Sequence, residues 1–565
     1  MLQPKLPDYT YKEWKQADFR TQIKMVCQSW AKDGYGAPLG IYIFYILKIL
    51  LFIGGWWFFC TQNPSFSTDN DFHLWWSHPE AITKAILWAM LFEGLGLGCG
   101  SGPLTARYLP PFGGLLYFLR PGTLKLPLFP NVPVIGHHKR GIIDIGLYFL
   151  LEANLLYALF STTISNTQLI WTIMLLLAVG ILDKTLFLAH RSEHYLSALI
   201  CILCVGDSIA GLKMVWIFLW LGAGISKLNQ HFPSVIGVMI SNAPWSRIGP
   251  IRQWMYRSYP DDLSPSKWAH LGAAMGTALE LGVPLIFLFA TGGPLTTLGL
   301  VLMLCLHLFI MSTIPMGVPL EWNIIMIYGA CALFGVHSSI LPYDISSYWI
   351  WSWLFLFHGG CIVIGNLYPN RVSFLLSHRY YAGNWAYSIW LFRKDSAKKI
   401  EQRLTLSSKL PEQQLNHIYP SQTVAFLLSK VIAFRMMHLL GRALRALIPI
   451  GVENPSEYQW FDGELICGVT LGWNFGDGHL SGLRLLNNIQ KECVFKEGEL
   501  RYFYVESQPL HKDSCQWIIA DAASGILTRG TISIETLKEG QPWMFLKDKT
   551  SAQAKVQINR SSFLE

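Results

Sequence analysis

The feature that most constrains this chain is a succession of long apolar runs separated by short polar segments. The run PLGIYIFYILKILLFIGGWWFFC at 38–60 is the first, and similar runs recur as far as residue 367. An α-helix needs about twenty apolar residues to cross the hydrocarbon core of a bilayer. Only 14% of the residues are charged, against about 25% in a typical soluble protein. The sequence therefore predicts an α-helical multi-pass membrane protein.

The distribution of basic residues predicts the topology. We expect about ten spans, and the loops assigned to the outer side, such as 61–79 and 337–346, contain no Lys or Arg. The loops assigned to the inner side contain nearly all of them, which is the usual cytoplasmic bias. Both termini are therefore expected in the cytoplasm. The net charge of +8 comes from residues that flank the apolar runs and fill the C-terminal third, which indicates contact with lipid headgroups and no nucleic-acid partner.

The chain divides into four predicted regions. Residues 1–37 form a cytoplasmic leader, and 38–370 form the helical membrane domain. Residues 371–450 form a basic linker that includes an amphipathic segment at 424–449. Four cations in that segment favour a helix lying in the membrane interface over an eleventh span. Residues 455–550 alternate apolar and polar residues between Gly-containing turns, which predicts a small β-rich soluble domain.

Lys227 is the most informative residue of the membrane domain. It follows an apolar helix that contains Gly222 and Gly224. A charged side chain at the centre of a bilayer costs roughly 2.5–3.5 kcal/mol, so such a lysine is either paired or used. Position alone favours a boundary lysine whose ammonium reaches the surface. A desolvated lysine, however, loses its proton readily and can act as a base.

Other ionisable residues in the predicted spans shift this balance towards function. They are Glu93, Asp144, Glu152, Asp183, Lys184, His194, Lys227, Glu280, His307, Glu321 and His358. Pairing of Lys227 with Glu280 or Asp183 would make it a structural link, whereas isolation would suit catalysis. The HHKR run at 137–140 indicates a basic membrane edge, and we predict no metal site. Motifs of the common soluble enzymes, including the P-loop and HExxH, do not occur in the sequence.

Four segments in order resemble one family. They are LDKT at 182–185, GAGISKLNQHF at 222–232, ALELGVPLIFLF at 278–289 and LHLFIMSTIPMGVPLEWNIIMI at 306–327. Together they resemble the membrane domain of vitamin K-dependent gamma-carboxylase and its bacterial relatives, the horizontally transferred transmembrane (HTTM) family. The resemblance covers about 140–370. The whole chain also resembles an uncharacterised family of bacterial multi-pass membrane proteins.

The resemblance implies particular roles for a few residues. Lys227 would be the base that deprotonates a hydroquinone, and His307 matches a family histidine. Either His190 or His194 matches the other one, because His190 has the spacing from Asp183 and His194 has the following Tyr-Leu. The residues expected to support them are Asp183, Lys184, Glu280 and Glu321. A quinone or quinol is the implied cofactor or substrate, and the implied location is a bacterial inner membrane.

Three functions are compatible with these residues. The first is an integral membrane enzyme that acts on a quinol-like or lipid substrate. The second is a non-catalytic membrane module that binds lipid or a protein partner, with 455–565 as its recognition domain. The third is a transporter, which predicts matching inverted halves. Because the sequence shows no such halves, the transporter ranks last, and the residues alone leave open whether the protein is an enzyme.

Overall fold

A computed structural model describes most of the chain. The described residues are 2–64, 66, 74–99, 107–109, 114–204, 206–247, 251–314, 320–473 and 478–544, together with the backbone of 557–559. Within them the chain is mainly helical, and a β-sheet lies towards the C-terminus. The predicted fold class, a helical membrane protein with a β-rich C-terminal region, is confirmed at this level.

Six helices of the described residues are long and apolar enough to cross a membrane. They are Leu39–Thr61, Ile142–Phe160, Ser208–Ser226, Lys267–Phe289, Gly293–Met311 and Tyr348–Leu367. A seventh would be the pair Ser421–Met437 and Leu439–Gly451, counted as one bent span. Several of the ten predicted spans are shorter helices: Pro79–Gly94, Asn166–Leu182, Ser192–Leu203 and Leu320–Gly329. Length and composition therefore support six or seven spans, and the count of about ten stays a prediction.

Polar residues account for two of these shorter helices. The predicted span 168–189 is interrupted at Asp183, whose carboxylate accepts a hydrogen bond from the backbone of Thr185 at 3.0 Å and so begins a new helix, Lys184–Ala189. The predicted span 194–210 becomes the helix Ser192–Leu203, which follows Arg191 in the left-handed conformation. Apolar composition alone does not reveal such breaks.

The Ser208–Ser226 helix is the centre of the membrane domain. Of its apolar window 78% is buried, against 22–39% for the other five long helices. It packs against Ser192–Leu203 on one side and against Lys267–Phe289 on another. The other long helices expose Leu, Ile, Val and Phe on their outer faces, as helices in contact with lipid do. Lys227 therefore lies at the end of the most enclosed helix.

The sheet has six antiparallel strands in the order β4-β3-β5-β6-β7-β8. A separate hairpin, β1 at Tyr256–Ser258 with β2 at Asp262–Pro265, lies in the loop between two membrane helices. The sheet strands are β3 Tyr387–Arg393, β4 Tyr458–Asp462, β5 Leu500–Val505, β6 Ser514–Asp521, β7 Gly525–Ser533 and β8 Gln557–Asn559. Strand β3 comes from the region assigned by sequence to the basic linker. The sheet therefore begins earlier in the chain than the strand-like segments indicated.

The remaining described helices are short or surround the sheet. They are Tyr11–Gln16, Phe19–Asp33, Gly114–Phe118, Phe232–Asn242, Ile251–Trp254, Lys398–Arg403, Pro411–Asn416, Gly463–Leu471, Leu483–Cys493 and Ile534–Glu539. The π-helical segment Ala330–Val336 extends Leu320–Gly329. A second, Trp353–Gly359, lies inside Tyr348–Leu367.

The segment expected to lie in the membrane interface has many contacts with the rest of the protein. The Ser421–Met437 and Leu439–Gly451 helices meet at 105°. Arg435 binds Asp462 at 2.6 and 3.0 Å and lies 3.0 Å from Glu464. Lys430 donates to Ser29 Oγ at 2.7 Å and to the Gly34 carbonyl at 3.0 Å. Arg435 and Lys430 thus have partners in the sheet region and the leader, and the position of this segment in the membrane interface stays a prediction.

The basic loop before residue 141 joins the membrane helices to the sheet region. Residues 100–106 and 110–113 of this loop lie outside the described residues. In the described part, Arg140 pairs with Asp183 at 2.7 Å and Lys125 pairs with Asp144 at 2.5 Å. His138 and Lys139 both contact Glu492, at 2.8 and 2.6 Å. Two residues of the HHKR run therefore contact a C-terminal helix, and Lys139 does so through an ion pair.

Candidate functional site

The two glycines before Lys227 allow close contacts on different sides of the central helix. A Cβ atom on Gly222 would lie 2.4 Å from His378 Nδ1, and one on Gly224 would lie 2.8 Å from Leu281. A side chain at either position would therefore force His378 or Leu281 to move. Gly224 thus brings the helix against Lys267–Phe289, which contains Glu280. The close helix approach expected from the small residues is present.

Lys227 is paired with Glu280. Its ammonium hydrogen-bonds to Glu280 Oε2, and both side chains are buried. The ammonium also lies 5.2 Å from the centroid of the Phe232 ring, a cation–π distance. Both contacts provide partners for the lysine side chain within the protein. The arrangement is the one that sequence reasoning associated with a structural link, and the role of Lys227 as a base stays a prediction.

His307 and His190 each use both ring nitrogens. Trp220 donates to His307 Nε2 at 3.0 Å, which leaves His307 Nδ1 to donate to Asn323 Oδ1 at 2.8 Å. His190 Nδ1 lies 2.7 Å from the Leu186 carbonyl, and Nε2 lies 2.8 Å from Glu152 Oε1. These contacts hold both rings in place. Neither histidine has a nitrogen left over for a ligand in this arrangement.

His194 differs from both. It is fully buried, and neither ring nitrogen has a hydrogen-bond partner in the part of the chain that the structure describes. Its Nδ1 lies 3.6 Å from Glu193 Oε1, and Glu193 Oε2 also lacks a partner within those residues. Buried polar atoms are nearly always hydrogen-bonded. Of the two histidines left open by the resemblance, His194 is therefore the one that is available to a bound molecule.

Arg191 and the aromatic rings of Trp322 and Tyr381 lie around His194 and Glu193. Arg191 Nε lies 3.3 Å from Glu193 Oε1, and Nη2 donates to the Tyr381 hydroxyl at 3.0 Å. The Trp322 ring stacks on Tyr381 at 4.8 Å and meets the His194 ring edge-on at 4.3 Å. The Arg191 guanidinium lies 5.2 Å from the Trp322 centroid. The result is a charged group enclosed by aromatic surfaces.

Two further histidines extend this arrangement towards the central helix. The rings of His358 and His378 lie 5.1 Å apart, and His378 lies 5.8 Å from the Tyr381 ring. Burial, together with His358 and His194, lowers the pKa of His378 well below its ordinary value, so this ring is neutral. His358 Nε2 and both nitrogens of His378 lack partners among the described residues. The close approach of His378 depends on Gly222.

A second group of polar residues adjoins Trp322. Glu321 Oε1 accepts from Cys99 Sγ at 2.8 Å, and Glu93 Oε2 accepts from the Cys99 backbone N–H at 2.8 Å. The Lys48 ammonium lies 3.8 Å from Glu321 Oε2. We call Lys48, Glu93, Cys99, Arg191, Glu193, His194 and Glu321 the buried polar centre. All of its members are buried.

The structure thus separates the residues that sequence reasoning grouped together. His194 and Glu321 belong to the buried polar centre, whereas Lys227, Glu280 and His307 lie at the central helix and its neighbours. Asp183 pairs with Arg140, and the Lys184 backbone N–H binds the Leu126 carbonyl at 3.0 Å, so both contact the basic loop. Sequence reasoning missed Lys48, Cys99, Arg191, Glu193, His378 and Tyr381. Arg191 and Glu193 could have been identified from the sequence by their position beside His190 and His194.

The fold and these contacts define the class of protein: an integral membrane protein of several apolar helices with a buried set of charged groups. A family model described as "Transmembrane protein of unknown function (DUF3556)" matches residues 1–555, and the chain belongs to that family. The expected membership of a multi-pass membrane family is confirmed. No family model of the HTTM or carboxylase type matches. No curated protein and no solved structure matches the chain.

Proposed function

We propose that this protein is an integral membrane enzyme that carries out acid–base chemistry on a quinol-like or lipid hydroxyl in the buried polar centre. One observation carries the proposal: His194 is fully buried beside a charged pair and has two ring nitrogens without partners in the described residues. Leaving such atoms unpaired costs about 1–3 kcal/mol each. A bound molecule that hydrogen-bonds to His194 would recover this free energy.

The geometry supports a simple proton transfer. A substrate hydroxyl would donate to a ring nitrogen of His194, which takes the proton as a general base. The imidazolium that forms would be stabilised by Glu193, whose Oε1 lies 3.6 Å from Nδ1. The oxyanion left on the substrate would face the Arg191 guanidinium. The aromatic rings of Trp322 and Tyr381 would hold the apolar part of the substrate and exclude water.

Lys227 and His307, for which the resemblance implied functional roles, are not assigned to catalysis in this proposal. Lys227 lies seven residues after Trp220, so the two side chains are about 10 Å apart along the helix axis. Trp220 holds His307 and Lys227 holds Glu280. We assign these four residues a positioning role, because their contacts hold the central helix in place. Since His378 packs against Gly222 of that helix, they also help to position the His378 ring. Deprotonation by Lys227 is the competing assignment.

The first test is whether the protein retains a molecule with a hydroxyl group. The protein is purified in detergent, and the organic extract is quantified by mass spectrometry for quinones and for polar lipids. We expect one class to be retained, and Arg191→Met to reduce it about tenfold, which corresponds to about 1.4 kcal/mol. His138→Gln is the matched control, because His138 binds Glu492 outside the centre. Equal retention by Arg191→Met and the wild type would contradict the proposal.

The second test separates catalysis from binding. A short-chain ubiquinol is supplied under air, because deprotonation makes a hydroquinone react faster with oxygen, and its consumption is followed by absorbance. His194→Gln should lower kcat about 100-fold with little change in KM, as expected for loss of a general base. A protein that retains ligand but never exceeds the buffer rate is the non-catalytic module instead. If Lys227→Met loses the quinol-consuming activity while His194→Gln keeps it in full, the base is Lys227.

We also propose that both termini face the cytoplasm of a bacterial inner membrane. The support is the absence of Lys and Arg from the loops 161–168, 291–295 and 337–346. Reaction of single cysteines with a membrane-impermeant maleimide tests this assignment. A cysteine at Ser338 should react in intact cells, and one at Lys398 should react only after lysis. The reverse pattern would overturn the orientation.

A further inference from the structure

Glu93, Cys99 and Glu321 form a compact set of metal-ligand atoms inside the membrane domain. One ligand atom from each of these side chains lies within 4.8 Å of the other two, and the described residues contain no other such group of three. Four-coordinate zinc with bonds of about 2.0–2.3 Å has ligand atoms roughly 3.3–3.8 Å apart. Small movements of the three side chains, in which Cys99 Sγ and Glu321 Oε1 separate from their present 2.8 Å, would therefore accommodate a metal ion.

The backbone around Cys99 is shaped for this contact. A Cβ atom on Gly98 would lie 2.3 Å from Glu93 Oε2, so only glycine lets that carboxylate reach the turn. Lys48 donates to the Gly98 carbonyl at 2.8 Å and lies 3.8 Å from Glu321 Oε2. Lys48 therefore orients both the turn that carries the cysteine and one carboxylate. Metal ligands are commonly fixed by such outer contacts.

The balance of charges points to a divalent cation. The buried polar centre contains two cations, Lys48 and Arg191, and three carboxylates, Glu93, Glu193 and Glu321. The carboxylates therefore outnumber the cations, and a bound cation would offset this excess, which matters because unpaired buried charges are very costly. His194, whose ring contacts Trp322, the residue after Glu321, adds ring nitrogens without partners in the described residues to the same buried polar centre.

We propose that Glu93, Cys99 and Glu321 bind a divalent transition metal of the zinc class. A thiolate with two carboxylates suits zinc, or cobalt as its substitute, better than magnesium or calcium, which take oxygen ligands only. Binding releases the thiol proton of Cys99, since the thiolate is the ligand. Three protein ligands leave a fourth position for water or another molecule, the pattern of catalytic rather than structural zinc sites. This proposal does not depend on the base assigned to His194.

The decisive measurement is the metal content of the full-length protein, purified without chelators and analysed by mass spectrometry. We expect about one zinc ion per chain in the wild type, and about a tenth of that or less in Cys99→Ser and in Glu321→Gln. Cys60→Ser is the matched control, because Cys60 is equally buried but lies near Lys84. Lys48→Met should weaken binding about 10–100-fold while leaving the ligands intact.

Cobalt gives a readout that needs no variant and therefore no assumption about folding. The wild-type protein is stripped of metal and titrated with Co²⁺ alone. A near-ultraviolet thiolate-to-cobalt charge-transfer band that saturates at one equivalent is the expected result, and Zn²⁺ should abolish it. A wild type that holds no metal and gives no such band would overturn the proposal. So would metal retained equally by Cys99→Ser and Cys60→Ser, because Cys99 would then not be a ligand.

Discussion

The ion pair between Lys227 and Glu280 makes the sharpest prediction about stability. Lys227→Met leaves the Glu280 carboxylate buried without its partner, and Glu280→Gln does the same to the ammonium. Removing one member of a buried pair typically costs about 3–5 kcal/mol, because the remaining charge is neither solvated nor paired. The double variant, Lys227→Met with Glu280→Gln, removes both charges and should recover most of that loss.

Thermal unfolding in detergent, followed by tryptophan fluorescence, measures these changes. Unfolding entropy is about 2.1 cal/mol/K per residue, so over 565 residues a loss of 3–5 kcal/mol lowers Tm by about 2.5–4 °C. Each single variant should show this shift, and the double variant should lie within about 1 °C of the wild type. Lys267→Met is the control, since Lys267 is an exposed residue at the start of the same helix as Glu280.

Two results would refute this reasoning. Single variants as stable as the wild type would mean that the pair contributes no structural link. A double variant as unstable as the two single variants combined would mean that the charges interact with other groups rather than with each other. If the double variant is stable yet turns over no quinol, while His194→Gln remains active, Lys227 is the base.

Two further predictions concern other parts of the molecule. Gly222→Ala should lower the free energy of unfolding by about 1–3 kcal/mol because its Cβ atom would lie 2.4 Å from His378 Nδ1. Gly282→Ala is the control and should cause no loss, because its Cβ atom would meet nothing within 4 Å. Equal thermal stability of the two variants would contradict the packing described for Gly222. Burial tends to raise the pKa of Glu506, but His479 and Arg379 outweigh it and lower the pKa from 4.5 to about 2. A carboxyl group whose pKa is lower in the folded protein than in the unfolded chain stabilises the fold at a pH above its unfolded-state pKa. On the order of 3 kcal/mol of the free energy of unfolding should therefore be lost as the pH falls from about 4.5 to 2. Unfolding of Glu506→Gln should lack this part of the pH dependence.

Sequence reasoning succeeded where the signal is local. The apolar runs predicted membrane helices, and Gly222 and Gly224 predicted close helix contacts. Glu280 was one of the two partners considered for Lys227, the other being Asp183, because few charged residues occur in the apolar segments. In each case the property lies in one or two neighbouring segments, and the physical constraint is strong.

The buried polar centre could not be predicted because its members meet only in the folded chain. Cys99 and Glu321 are 222 residues apart. Arg191 adopts the left-handed backbone conformation, with φ of 56°, between the helices Lys184–Ala189 and Ser192–Leu203. The apolar pattern had assigned these two helices to the predicted spans 168–189 and 194–210. Strand β3 was missed for another reason: six consecutive residues of Tyr387–Arg393 are buried. A strand covered on both faces lacks the alternation that identifies a half-buried one.

The two clusters bear differently on the question of function. Lys227 and Glu280 form a matched pair, and His307 is held by two neutral partners, so that cluster is satisfied as it stands. In the buried polar centre three carboxylates face two cations, and His194 and Glu193 retain unpartnered atoms within the described residues. Buried polar groups in a membrane domain are costly unless satisfied. An arrangement that is incomplete in charge and in hydrogen bonds can be completed by a bound molecule or ion, so the proposed binding site is the centre around His194 rather than the lysine at the end of the central helix.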